Sequence, residues 1–150
     1  MTPMIVLDAG PVGIVTNPRE SATSLACKAW LWNQLASGVR VVIPEIADYE
    51  IRRELLRAGR RKGLARLDKL ADEIGYLPID TEVMRLAAAI WAEARQKGWP
   101  TADDKALDAD VILAAQANLA ELDGPVIVAT TNPGHLARFV TDAREWSAIT

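Results

Sequence analysis

The chain has 150 residues, half of them hydrophobic and a quarter charged, with a formal net charge of −3. That length suits one domain spanning 1–150 with a sizeable aliphatic core, and the balance lacks the overall basicity of many nucleic-acid binders, so any such role must rest on where the charges lie. The single cysteine, Cys27, excludes an internal disulfide and a cysteine-built zinc site. With no apolar run of about 18 residues and no charged-then-apolar leader before the first strand, no membrane association is expected and a cytoplasmic protein is.

In chain order, residues 4–7 (MIVL) form an apolar run that predicts a fully buried strand, and Asp8-Ala-Gly-Pro reads as the turn that ends it. Residues 20–37 predict a helix with Leu25, Ala29, Trp32 and Leu35 or Ala36 on one side, stopped by Gly38. Residues 40–43 (RVVI) are the next strand, and Pro44 suits the start of a helix over 45–58. A further helix over about 60–74 ends at Gly75. A short extended piece follows at 76–79, then a helix over 80–97 with Val83, Leu86, Ala87, Ile90 and Ala94 inward. The segment 101–119 is the most apolar helix, opened by a capping-box pattern of Thr101 with Asp104. Residues 125–129 (PVIVA) are a strand ending in Thr-Thr-Asn-Pro-Gly; a short helix near 135–140 and an extended tail at 146–149 complete the chain. Continuous apolar strands separated by helices imply an α/β fold, a three-layer α/β/α sandwich around a central parallel sheet.

Three acids stand out against this scaffold. Asp8 follows a buried strand, and in open α/β sheets ligands bind beyond the carboxyl ends of the strands; it also suits a turn aspartate. Glu50 falls in the helical arc of Ile46, Ala47 and Ile51, with Glu54 one turn on, where a carboxylate needs compensation from a metal ion or from Arg53 or Arg57. Asp110 shares the face of Leu113, Ala114 and Ala117 in a helix apolar nearly all round; an acid there either suits the dipole of a first helical turn or serves a function, and the earlier start marked by Thr101 and Asp104 favours function. Asp103 and Asp108 either widen a metal site or solvate the helix entrance, and Asp104 reads as solvating. Asn132, after the last clear strand, mirrors Asp8; it either assists at a site or starts a turn, with Thr130 and Thr131 beside it. His135 is the only histidine and reads as structural rather than RNA-facing.

Oxygen ligands without a His/Cys cluster suit a hard cation such as Mg2+, or Mn2+. Such an ion lowers the pKa of a water and neutralises phosphodiester charge, so the set predicts hydrolysis of a phosphodiester with water as nucleophile. A polyanionic substrate also needs cations nearby. The segment 52–69 supplies them, with Arg53, Arg57, Arg60, Arg61 and Lys62 as candidate phosphate contacts to RNA beside Arg52, Arg66 and Lys69; a solvated helical face is the alternative. Trp30, Trp32 and Trp91 read as core or interface residues, and Trp99 as exposed near the acidic helix.

With these pieces in order, the chain resembles the PIN domain family, and within it the VapC-type toxins of bacterial toxin–antitoxin systems, over almost its whole length. MIVLDAGP is similar to the family's first strand and aspartate, placing it on Asp8. IPEIADYEIRREL is similar to the second motif, whose glutamate falls on Glu50. DADVILAAQA matches an aspartate heading an Ile/Ala-rich helix, giving Asp110, and VIVATTNPGHLARF resembles the closing strand and loop. The resemblance implies a Mg2+- or Mn2+-dependent endoribonuclease, a homodimer inhibited by a cognate antitoxin, with Asp8, Glu50 and Asp110 holding metal and Asn132 assisting. Asn132 stands where the family has its last acidic position, His135-Leu136 replaces a pair whose second residue is often aromatic, and the chain is longer than many such toxins around 52–73. A catalytically weak or inactive RNA-binding or interaction module of the same fold is the alternative implied by Asn132.

Overall fold

A computed structural model of the chain describes residues 2–99 and 104–150, with Asp104 and Lys105 described in their backbone alone. Five strands form one all-parallel sheet: β1 (Met4–Leu7), β2 (Val41–Pro44), β3 (Tyr76–Leu77), β4 (Val126–Thr130) and β5 (Ala143–Glu145), in the order β3-β2-β1-β4-β5. Parallel neighbours need crossovers, and the helices provide them: α1 (Ala9–Thr16), α2 (Ala22–Ala36), α3 (Glu45–Arg57), α4 (Arg61–Ile74), α5 (Thr81–Gln96), α6 (Asp104–Ala120) and α7 (Pro133–Leu136).

Alternate strand residues enter opposite cores. Ile5, Leu7, Val41, Ile43, Ile127 and Ala129 meet α1 to α4 through Val12, Cys27, Leu31, Ala47, Leu67 and Leu70. Val6, Val42, Val126 and Val128 meet α6 and α7 through Leu113, Ala114, Ala117 and Leu136. The alanines bring α6 close to the sheet, and α5 packs behind α6 through Val83, Ala87, Leu107, Val111 and Ala115. The α/β/α sandwich and parallel sheet expected from the sequence are the observed architecture.

Four local expectations are corrected. The Asp8-Ala-Gly-Pro segment opens a helix, not a turn. Asp8 is extended (φ −66°, ψ 167°) and its side chain caps Ala9 N–H, and Pro11 falls in the first turn, where no intrahelical N–H bond is lost. Helix α2 buries Ser24, Cys27, Leu31 and Gln34, leaving Leu25 and Trp32 each 52% exposed. Apolar residues on both of its sides make the periodicity ambiguous; Trp30 settles it by packing on Trp146 and donating its indole N–H to Ile149 O at 2.8 Å. The last extended segment is β5, three residues earlier than the expected tail, with Trp146 and Ile149 then folding back into the core. Trp99 is half-buried rather than exposed, its ring 5.8 Å from that of Phe139. Thr101, half of the expected capping box, and Asp103 lie outside the described residues.

Strand order reverses between β1 and β4. The chain leaves β1 towards β2 and β3, then returns to the other side of β1, and such a switch point opens a crevice at the strands' carboxyl ends. Asp8 and Thr130 stand there.

Candidate active site

Asp8 is held from two sides. Its Oδ1 accepts Ala9 N–H at 2.7 Å, and its Oδ2 accepts the hydroxyl of fully buried Thr130 at 2.8 Å, across the switch point. The backbone closes the same seam, Asp8 N–H donating to Ala129 O at 2.9 Å. Thr130 Oγ1 in turn accepts Asn132 N–H at 3.0 Å, so one hydroxyl ties the loop after β4 to the acid after β1. A Cβ at Gly10 would lie 2.5 Å from Thr131 Oγ1 and 3.2 Å from Thr131 Cβ, so a side chain there would force the loop backbone away. Glycine at this position is required by that approach.

Two further acids converge on Asp8. Burial raises the Asp8 carboxyl above its ordinary range, against the opposing pull of Thr130, Ala9 N–H and the charge of His135. Glu50, on α3, is pushed up to about 7 by burial, then by the charge of Asp8 and, less, of Asp110, with Arg53 acting against them. Asp110, on α6, is pushed up to about 7 by burial and by Asp8. Glu50 thus feels both other acids and Asp110 feels Asp8, and neither Glu50 nor Asp110 has a salt bridge among the described residues. Burial first, and then the like charges, disfavour the charged forms of these two side chains.

The other predicted residues divide. Asn132 is exposed beside Thr130, and its side chain makes no capping bond to α7. Asp108 is exposed, and its charge is not among those acting on the three acids. Glu54 pairs with Arg57 at 2.8 Å on the surface. Arg53 lies over the Tyr49 ring, 5.0 Å from its centroid. Arg60, Arg61 and Lys62 are exposed at the α3–α4 turn and, with Arg57 and Arg19, rim a cleft of about 810 Å³ floored by Ile51 and Leu55. Arg52, in the same basic run, is instead pinned to Asp48 and Asp68 at 2.8 Å each. His135 is exposed, with its charge acting on Asp8, not the structural residue expected. Tyr49 was not singled out from the sequence; its position directly before Glu50 was the available signal.

The PIN domain family model matches residues 5–138, a span that contains Asp8, Glu50, Asp110 and Asn132. The chain belongs to the PIN domain family. Its fold is that of solved toxin–antitoxin proteins. FitAcB from Neisseria gonorrhoeae aligns with a TM-score of 0.69 at 22% identity, covering 97% of this chain and 100% of that one. VapBC from Salmonella typhimurium, solved bound to DNA, gives 0.68 at 18%, covering 97% and 99%. VapBC2 from Rickettsia felis, bound to a promoter DNA fragment, gives 0.68 at 15%, covering 95% and 97%. At these identities the likeness is one of fold. No curated protein matches the sequence significantly.

The side chains of Asp8, Glu50, Asp110, Thr130 and Asn132 offer carboxylate, hydroxyl and amide oxygens. Among the described residues no three His, Cys, Asp or Glu side chains form a group that could hold a metal ion as they stand.

Proposed function

We propose that the chain, as one PIN domain across residues 1–150, is a Mg2+- or Mn2+-dependent endoribonuclease, the toxin of a type II toxin–antitoxin pair. Proteins of the family are usually nucleases that use divalent ions. The observation that carries the reading is the grouping of Asp8, Glu50 and Asp110 at the sheet's switch point with raised carboxyls and, among the described residues, no salt bridge to Glu50 or Asp110.

Asp8, Glu50 and Asp110 would hold the ion, which supplies activation of water and neutralisation of phosphodiester charge. Asp8 presents a fixed carboxylate because Ala9 N–H and the Thr130 hydroxyl set its plane. Glu50 and Asp110 hold protons near neutrality in the ion-free chain and release them when a cation is held. Asn132 offers its amide to the substrate's phosphate from the end of β4. Arg53, Arg57, Arg60, Arg61 and Lys62 draw RNA to a site that would otherwise repel it, with an affinity that falls as salt rises.

The same cations, around the apolar floor of Ile51 and Leu55, suit an acidic, amphipathic segment of an antitoxin, which would compete with RNA for them. The structural relatives are antitoxin complexes, and a homodimer in the cytoplasm completes the proposal. Among the described residues no helix is long and apolar enough to cross a membrane.

The test is cleavage of a mixed structured RNA with Mg2+, Mn2+ or chelator, beside Asp110→Asn. Cleavage should need the ion and fall by at least about 100-fold in the variant. Intact RNA in every lane, with RNA still bound, would replace the nuclease with a binding module of the same fold, the reading that Asn132 favours.

A further inference from the structure

Helix α3 sorts its polar side chains by partner. Asp48 and Arg52 turn to α4 and β3, and Glu54 and Arg57 pair with each other. Tyr49 and Arg53 are left, one turn apart, stacked ring against guanidinium. Tyr49 is 55% exposed and belongs to no core cluster. Arg53 is exposed and, among the described residues, has no salt bridge. Its guanidinium, three residues beyond Glu50 and four beyond Tyr49, is the cation whose charge Glu50 feels. A large ring and an unpaired cation thus share the rim of the acid cluster.

Neither residue is explained by stability. An exposed cation–π contact contributes no more than the side-chain entropy it costs. Together they present the two surfaces a flexible nucleotide needs, a flat apolar face and a fork of N–H donors. Arginine binds phosphate through two parallel hydrogen bonds, and aromatic faces stack any base that is not already stacked within a duplex. The other exposed aromatics differ in setting. Tyr76 spends its hydroxyl on Asp48, Trp32 lies on α2, and Trp91 on α5 has Arg95 over its ring at 5.3 Å, but Arg95, unlike Arg53, is not among the charges acting on the three acids.

We propose that Tyr49 and Arg53 form a nucleotide subsite beside the acid cluster, the ring stacking on an unpaired base and the guanidinium binding its phosphate. This rests on the nuclease reading and assigns two residues to positioning its substrate. The ring adds affinity without charge; the guanidinium adds charge and hence salt dependence.

The test is equilibrium binding of a labelled short RNA, single-stranded or annealed to its complement, to the full chain in chelator, so that the RNA stays intact. Tyr49→Phe should bind as the parent does. Tyr49→Leu should lose about 10-fold for the single strand and nothing for the duplex. Arg53→Gln should lower the slope of log affinity against log salt by about 0.7, while Tyr49→Leu leaves that slope unchanged. Equal thermal midpoints of these surface variants confirm that all are folded. A parent that binds RNA while Tyr49→Leu binds equally well, or weakens both forms alike, overturns the subsite and leaves the nuclease reading standing. An unchanged slope in Arg53→Gln overturns the phosphate contact. A parent that binds no RNA overturns both readings.

Discussion

Asp48 and Glu50 are two residues apart on α3, yet their surroundings are opposite. Asp48 is buried and fully provided for. Arg52 Nε reaches its Oδ1 at 2.8 Å, Arg52 Nη2 its Oδ2 at 3.2 Å, and the Tyr76 hydroxyl donates to Oδ2 at 2.7 Å. Glu50 has no salt bridge among the described residues; burial and the charges of Asp8 and Asp110 raise its carboxyl, with only the charge of Arg53 against them. The fold shows that it can neutralise a buried carboxylate when structure requires it, here to tie α3 to α4 and β3. At the switch point it holds Asp8 with the Ala9 N–H and the Thr130 hydroxyl, and among the described residues it gives Glu50 and Asp110 no salt bridge. That difference separates an acid that holds the protein together from the two that, on the proposed function, would hold a cation.

The contrast predicts stability changes of opposite sign. Arg52→Met removes the cation from a buried carboxylate and should cost about 3 kcal/mol, seen as a lower urea midpoint with an unchanged slope. Asp110→Asn, in chelator, removes a half-buried carboxyl beside Asp8 and should raise the unfolding free energy by about 1 kcal/mol, seen as a higher urea midpoint. If both substitutions destabilise alike, the acids of the site are as well compensated as Asp48 and the distinction collapses.

Much of this is legible in the sequence alone. Strands of uninterrupted Val, Ile and Leu carry the parallel sheet, and acids placed after strands or on an alanine-rich helix face carry the site. Asp8, Glu50 and Asp110 do converge. What stayed hidden has physical causes. Helix α1 is disguised by Gly10, Pro11 and Gly13, which look like a turn; the cap at Asp8 and the close approach of Thr131 to Gly10 explain all but the last of them. Helix α2 is apolar on two sides, and only the tertiary partner Trp146 decides which is inward. Within the basic run, sequence cannot tell Arg52, consumed by Asp48 and Asp68, from Arg53, which is left over. The i,i+4 spacing favours Asp48–Arg52 and Tyr49–Arg53 equally; β3, arriving with Tyr76, distinguishes them.

A smaller effect sharpens the same comparison through pH. For Asp110, from an ordinary 3.8 to about 7, and for Glu50, from 4.5 to about 7, the folded chain holds its proton more tightly than the unfolded one. Between those limits the folded state binds more protons, so stability falls as pH rises from about 4 to about 7. Both carboxyls are partly open to solvent, and screening reduces the fall to about 1–2 kcal/mol in all. Thermal midpoints in chelator should therefore be higher near pH 5 than near pH 8. Mg2+ or Mn2+ should raise the midpoint most on the alkaline side, where the acids are ionised and ready to bind. A midpoint that rises with pH in chelator would mean that burial and the neighbouring charges do not hold these two carboxyls above their ordinary range in the folded chain.

The smallest effect belongs to the surface pair Arg57–Glu54, whose 2.8 Å separation is shorter than the Asp48 pair's second bond, although both side chains are largely exposed. Distance alone would rank it as strong. Exposure reverses that, because water screens the attraction and two flexible side chains must be ordered to make it. Arg57→Gln should change the unfolding free energy, read from the urea midpoint, by less than about 0.5 kcal/mol, while lowering the salt slope of single-stranded RNA binding by about 0.7, as expected when one phosphate is no longer neutralised. A stability loss comparable to that of Arg52→Met would make Arg57 a structural partner of α3, and the rim of the cleft would then have one cation fewer to offer RNA.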